Sequence, residues 1–132
     1  MNATTGLERW HAAVEGGSKP ETLAAMIDEH AVFHSPVVHT PQKGRAVVTA
    51  YLSAAGQTLG NAKFRYVRTL IDGDTAMLEF ETEMDGVHVN GVDIVRFDAA
   101  GNILDFKVMV RPLKAVNKVW ERMAEQLERM QG

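Results

Sequence analysis

Between Phe64 and Arg111 the sequence alternates apolar and polar residues almost without a break, interrupted at three short turn-rich points. A period of two puts successive side chains on opposite faces of an extended chain, so this half is committed to strands with one buried face. Phe64, Tyr66 and Leu70 alternate with Arg65, Val67 and Thr69 as far as Asp72-Gly73. Ala76, Leu78, Phe80, Thr82 and Met84 alternate with Met77, Glu79, Glu81 and Glu83 as far as Asp85-Gly86, a hairpin signal because glycine adopts positive φ freely. Val87 to Phe97 makes a third strand, and Ala99 to Asn102 turns it back. Leu104, Phe106, Val108 and Val110 then alternate with Asp105, Lys107, Met109 and Arg111 until Pro112. Four long strands joined by tight turns read as an antiparallel meander.

The first half has helical spacing instead. Leu7, Trp10, Ala13 and Val14 form one stripe, ended by Gly16-Gly17. Pro20 opens a second helix whose buried face is expected to be Leu23, Met26 and Ile27. Ala31 to Ser35 reads as a short strand stopped by Pro36, and residues 36 to 44 read as a loop. Arg45 to Leu59 is helical again, and Leu113, Val116, Val119, Trp120, Met123, Leu127 and Met130 mark an amphipathic C-terminal helix. Helices segregated from an antiparallel sheet define the α+β class. Long twisted strands covered on one side curl, so the expected shape is a curved sheet and helices making a cone with a pocket, plus a C-terminal helix.

Composition narrows the function. The 132 residues fit a single domain spanning 1–132. The absence of cysteine excludes disulfides, thiol nucleophiles and thiolate metal sites. A net charge of −3 provides no basic footprint for nucleic acid or anionic lipid. No apolar run reaches the roughly 20 residues of a membrane span. The start, MNATTGLERW, has no basic region followed by an apolar run, so the expectation is a cytoplasmic protein without nucleic-acid or membrane partners.

Three segments, LERWHAAVEGG, IDEHAVFHSPVVHTPQKGRAVVTAYL and NGVDIVRFDAAGNILDF, taken in this order, resemble the nuclear transport factor 2-like superfamily, which includes SnoaL-like polyketide cyclases and ketosteroid isomerase. The resemblance spans about residues 7 to 112. It implies a cone-shaped pocket for an apolar small molecule and a homodimer through the outer sheet face. Against ketosteroid isomerase, the catalytic-base position just before the Pro that follows the first short strand is Ser35, and the oxyanion-hole tyrosine on the first helix corresponds to Trp10. The second oxyanion donor, a protonated aspartate, corresponds to Asp93, and a supporting tyrosine on the third helix to Tyr51. An unaided serine hydroxyl does not abstract an α-proton near neutral pH, so the usual isomerase route is not expected.

Asp93 lies in phase with Val89, Gly91, Val95 and Phe97, the set expected to face inward. A carboxyl there loses hydration and holds its proton more tightly. It is either a catalytic acid or hydrogen-bond donor, or a structural aspartate satisfied by Tyr51, the Trp10 indole N–H or a backbone N–H. His39, on the loop at the expected pocket mouth, is a candidate general base or substrate contact. His30, His34 and His39 are spaced by four and five residues but straddle a helix end, a strand and a loop, so no metal site is expected. His11 and His88 are expected to have no chemical role. Glu79, Glu81 and Glu83 share a strand face and are expected to bridge to Lys107 and Arg111.

Expected pocket contacts are Trp10, Phe33, Ser35, Val37, Tyr51, Leu78, Phe80, Val95, Phe106, Val108 and Val110, with Asp93 and His39 as the catalytic pair. The expected function is binding of an apolar, cyclic or polyketide-like molecule, with cofactor-free proton transfer leading to isomerisation, cyclisation or dehydration. The alternative is a non-catalytic ligand-binding or dimerisation module of the same fold.

Overall fold

The computed structural model describes the backbone of residues 2–131 and the side chains of residues 3–129, so Met130, the last member of the C-terminal stripe, falls outside the described side chains. The elements in order are α1 (Asn2–Glu15), α2 (Pro20–Ala24), β1 (Ile27–His34), β2 (Gln42–Lys43), α3 (Arg45–Leu59), β3 (Arg65–Asp72), β4 (Thr75–Met84), β5 (Val87–Phe97), β6 (Ile103–Arg111) and α4 (Leu113–Gln131). The α+β class is as expected, with one six-stranded sheet in the order β2-β1-β6-β5-β4-β3.

The meander β3 to β6 is antiparallel throughout, and its turns use positive φ at Gly73, Asp85, Gly86 and Gly101. β1 instead lies parallel to β6, the one parallel pair in the sheet described. β1 also begins earlier than the periodicity indicates. Ile27 leaves the helix and pairs with Ile103, so α2 closes at Ala24. A ladder to a strand far along the chain, with the strand preference of a β-branched residue behind it, outweighs the helical spacing. Likewise Gln42 and Lys43, inside the expected loop, pair with Phe33 and Val32 as the edge strand β2.

One face of the sheet is buried under the helices. Along β4 the buried positions are Ala76, Leu78, Phe80, Thr82 and Met84, and along β5 they are Val89, Gly91, Asp93, Val95 and Phe97. α1 lays Ala3, Leu7, Trp10 and Ala13 on this surface, each large apolar side chain contributing about 1.5–3 kcal/mol by burial. The approach is close because residue 6 is glycine: a Cβ there would strike the Phe97 ring. Arg9 fixes the helix at one end, its guanidinium donating to Asn102 Oδ1 (2.8 Å) and the Ala25 carbonyl (2.9 Å).

β3 departs from strict alternation. Tyr66 pairs with Phe80, but Arg68 pairs with Glu79, so Val67 is a bulge. A bulge reverses which face the following residues take. Tyr66, ahead of the bulge, faces inward beside Phe80, while Leu70, expected on the same face but beyond the bulge, is 59% exposed on the outside. The acidic row is corrected too. Glu81 meets Arg65 at 3.3 Å, Glu79 meets Arg68 at 3.5 Å and Glu83 pairs with Lys63, so the partners come from β3 and the residues just before it, not from Lys107 and Arg111. β4 has β3 as its neighbour on one side and β5 on the other, so β6 is beyond direct reach.

Candidate functional site

Between the sheet, α1, α3 and α4 lies a cavity of about 60 Å³, room for a handful of waters or one slim molecule. Its walls are aromatic. Trp10 packs on Phe106 with centroids 5.0 Å apart, Phe64 stacks on Phe80 at 5.3 Å, and Phe64 meets Tyr66 edge-on at 5.0 Å. Leu52, Ala55, Gly56 and Leu59 of α3 close one side, and Val119 and Met123 of α4 close another.

Three elements bring polar groups together on this apolar surface. The Trp10 indole N–H donates to the Tyr66 hydroxyl oxygen at 2.9 Å, and the Tyr66 hydroxyl donates to Asp93 Oδ2 at 3.3 Å. An indole can only donate, so the chain has a fixed direction and ends on the carboxyl. Asp93 is 6% exposed, opposite Leu78 on β4 and Val108 on β6. Burial pushes its pKa up from 3.8 to about 7, and the hydrogen bond from Tyr66 opposes that rise. Burial, then the charge of Asp93, holds the Tyr66 phenol well above its ordinary value, so it stays protonated.

The consequence follows from counting donors. When Asp93 is ionised, the single Tyr66 proton is taken by the carboxylate and nothing is left to donate. When Asp93 is neutral, the pair carries two hydroxyl protons and one remains for a ligand acceptor. Near pH 7 the site is poised between these forms.

Of the expected contacts, the structure places Trp10, Phe33, Ser35, Val37, Phe80, Phe106 and Val108 at the cavity together with Asp93. Five expected residues are not there. His39 is exposed on the loop after β1: Val37 N–H bonds back to Ser35 Oγ at 3.1 Å, and this tight turn brings Pro36 and Val37 to the cavity, leaving His39 outside. The expected His39–Asp93 pair does not form. Tyr51 is rotated off the α3 face that carries Leu52 and Leu59 and packs on Phe33 at 5.2 Å. Leu78 and Val95 are fully buried but fill the core away from the cavity, and Val110 borders a hollow on the outer sheet face. Asp93 is satisfied by Tyr66, not by Tyr51, Trp10 or a backbone N–H.

Tyr66 is the residue that sequence reasoning missed. The signal was its place beside Phe64 at the inward start of β3. Its role depends on the β3–β4–β5 register that brings it to Asp93, which spacing alone does not announce. His34 points to the outer face, where its Nε2 meets Asp105 Oδ2 at 3.1 Å. Among the described residues no group of three His, Asp or Glu side chains is placed to hold a metal ion. No helix of the described residues is long and apolar enough to cross a membrane.

Comparison with known proteins agrees with this fold. The family model described as SnoaL-like domain matches residues 7–106. A crystal structure of a steroid delta-isomerase from Pseudomonas aeruginosa is similar over 98% of this chain and 93% of that one, with 33% identity and a TM-score of 0.89. An uncharacterized protein conserved in bacteria, with a cystatin-like fold, from Silicibacter pomeroyi DSS-3 is similar over 92% of this chain and 84% of that one, at 28% identity and TM-score 0.83. An NTF2-like protein of unknown function from Mesorhizobium loti shares the fold at 22% identity, over 85% of this chain and 95% of that one, with a TM-score of 0.70. No curated protein sequence matches the chain.

Proposed function

Because the chain belongs to the SnoaL-like domain family, within the NTF2-like superfamily, and its cavity ends on one buried carboxyl, we propose that it binds a slim apolar molecule through a carbonyl-type acceptor and promotes proton transfer at the adjacent carbon. The observation that carries this is the Trp10–Tyr66–Asp93 chain, which leaves one donor for a ligand while Asp93 is neutral. In the proposed step the α C–H bond breaks and its electron pair forms the carbon–carbon double bond, while the carbonyl π pair moves onto the ligand oxygen, which takes the donated proton and leaves Asp93 as carboxylate. The α-proton passes to water, because among the described residues Asp93 is the one carboxylate at the cavity and no histidine lines it. Reprotonation at another carbon would give an isomer; the same donor could assist cyclisation or loss of a hydroxyl. No cofactor enters this scheme. The resemblance to a steroid delta-isomerase supports the class of chemistry, whereas a cavity of about 60 Å³ favours a single ring over a fused polycycle.

The competing reading is a non-catalytic binder, favoured by Ser35 at the position that the resemblance to ketosteroid isomerase assigns to the base. Binding and turnover separate in one experiment. Cyclohexanone should raise the melting temperature of the protein at pH 6, where Asp93 is mostly neutral, and raise that of Asp93→Asn less. Exchange of the ketone α-protons in deuterated water, followed by NMR, should be faster with the native protein than with Asp93→Asn. Binding without accelerated exchange would establish the binder; no binding to any cyclic ketone would end the proposal.

The same chain is proposed to pair with a second copy through its outer sheet face. There Leu70, Met77 and Met109 surround a hollow of about 400 Å³ edged by Arg68, Arg111 and Glu79, a mixed-charge rim that complements itself under two-fold symmetry.

A further inference from the structure

A second hollow, of about 280 Å³, adjoins the inner cavity. The two share Val14, Ser18, Gly56, Gly60 and Phe64, so these residues form a common rim, a throat, between them. The throat is built by the turn between α1 and α2 resting on α3. Gln57 Nε2 donates to the Gly17 carbonyl at 3.0 Å, and Ser53 Oγ donates to the Ser18 carbonyl at 3.0 Å. These bonds hold Ser18 in the left-handed region, at φ 54°, with its side chain seated over Gly56. Any Cβ at position 56 would strike Ser18, so the close packing of Ser18 on α3 requires glycine there.

The chemistry of the outer hollow differs from that of the inner one. Besides the throat residues it is lined by Gly17, Gln57 and Asn61, and no charged side chain takes part. Asn61 is already committed: its amide nitrogen donates to the Glu83 carbonyl, and its oxygen accepts from Thr82 Oγ1 and the Lys63 N–H. Gln57 uses its nitrogen on Gly17, which leaves its Oε1 to accept. The groups on offer are thus the Ser18 hydroxyl and the Gln57 amide oxygen, both neutral. A charged tail would lose hydration here and meet no counter-charge.

From this common rim we infer that the two hollows join and that the ligand is two-ended: a slim apolar ring whose acceptor reaches Asp93, bonded to an uncharged, hydroxyl-bearing tail that passes the shared rim into the outer hollow. The inference rests on the proposed function and names the ligand class for that site. A hydroxyl is the smallest neutral group that can donate to Gln57 Oε1 and also accept from Ser18.

The probes are acetophenone and three para-substituted acetophenones carrying a hydroxybutyl, a pentyl or a carboxypropyl chain, with affinities measured by calorimetry at pH 6. The hydroxybutyl ketone should bind about tenfold more tightly than acetophenone and more tightly than the pentyl ketone, and the carboxypropyl ketone should be the weakest of the tailed probes. Gln57→Trp, which fills the outer hollow from an exposed helix position, should bring the hydroxybutyl-to-acetophenone ratio close to one. Gln57→Ala, which keeps the space but removes the amide, should reduce the advantage of hydroxybutyl over pentyl. If acetophenone binds and the tails make no difference, or if the carboxylate tail binds best, the two-ended ligand is overturned and the proposed function stands. If neither acetophenone nor any tailed ketone binds, the proposed function fails with it.

Discussion

The Tyr66 hydroxyl stands 3.3 Å from Asp93 Oδ2 and is the only side-chain hydrogen-bond donor to that carboxyl among the described residues. Because the same oxygen accepts from Trp10, its proton is directed at Asp93. An aspartate that would otherwise be an isolated buried acid becomes the end of a three-residue chain with a definite donor count. The consequences can be measured separately.

Stability should carry the signature of Asp93. Its pKa is near 7 in the folded protein and 3.8 by ordinary standards, so the folded state binds the extra proton between these values. This contribution is fully present below about pH 4 and is lost as pH rises through 7. Glu83, Asp85 and Asp98, whose pKa values are lowered by their partners, act with the opposite sign at acid pH, so native and variant proteins must be compared. In urea unfolding from pH 4 to 9, Asp93→Asn should gain on the native protein as pH rises, by a few kcal/mol in total, with the difference flat above pH 8. A difference that does not change with pH would show that the carboxyl is not held neutral.

Tyr66→Phe removes one oxygen and strands two groups, the Trp10 N–H and the Asp93 carboxyl. The cost should be about 1–3 kcal/mol, more than a surface tyrosine would show. Since the Tyr66 bond lowers the Asp93 pKa, its loss should move the carboxyl midpoint upward. Carbon-detected NMR titration of the Asp93 carboxyl reads this directly, and a downward shift would contradict the assigned direction of the hydrogen bond.

Ser35 accepts the Val37 N–H through its hydroxyl, a turn that aspartate can make equally well with a carboxylate oxygen. Ser35→Asp therefore places a carboxylate at the cavity without breaking the loop. With Asp93 as donor, the variant should convert a β,γ-unsaturated cyclohexenone to its conjugated isomer at least tenfold faster than the native protein, followed by ultraviolet absorbance. A folded variant that still binds cyclohexanone but shows no gain would argue against Asp93 as the electrophilic partner.

Gly91 faces Phe80 across the β4–β5 ladder, and a Cβ at 91 would enter the Phe80 ring. Gly91→Ala should push that ring into the cavity it lines, costing about 1–3 kcal/mol and weakening cyclohexanone binding together with stability. Unchanged binding at lowered stability would mean that the ring yields in another direction.

Self-association should depend on the outer sheet face. Met109, 50% exposed beside the hollow on the outer sheet face, is the position for a single charge: Met109→Glu should shift a dimer toward monomer in sedimentation equilibrium without changing the far-ultraviolet circular dichroism. A native protein that is monomeric at all concentrations would remove the dimer from the account.

Much of this was readable from residue order. Alternation from Phe64 onward, interrupted by Asp72-Gly73 and Asp85-Gly86, specified the meander because a period of two has no other economical fold. Phase alone also placed Asp93 on the inward face, beside Val95 and Phe97. Spacing could not fix where a loop residue such as His39 would lie: an exposed loop has no periodicity, and its course was settled by the Ser35–Val37 turn. Tyr51 failed for a related reason, since one residue's rotation around a helix separates a cavity wall from a core contact.

What the chain determined by itself was therefore the set of faces: which side chains of each strand and helix must leave water. Tertiary structure decided which of those buried faces meet. Ile27 joined a strand because Ile103 was there to pair with it, and Tyr66 reached Asp93 because the β3–β4–β5 register set Tyr66 opposite Phe80 and Asp93 opposite Leu78 on one face. Such outcomes depend on contacts between segments distant in sequence, whose energies no local window contains.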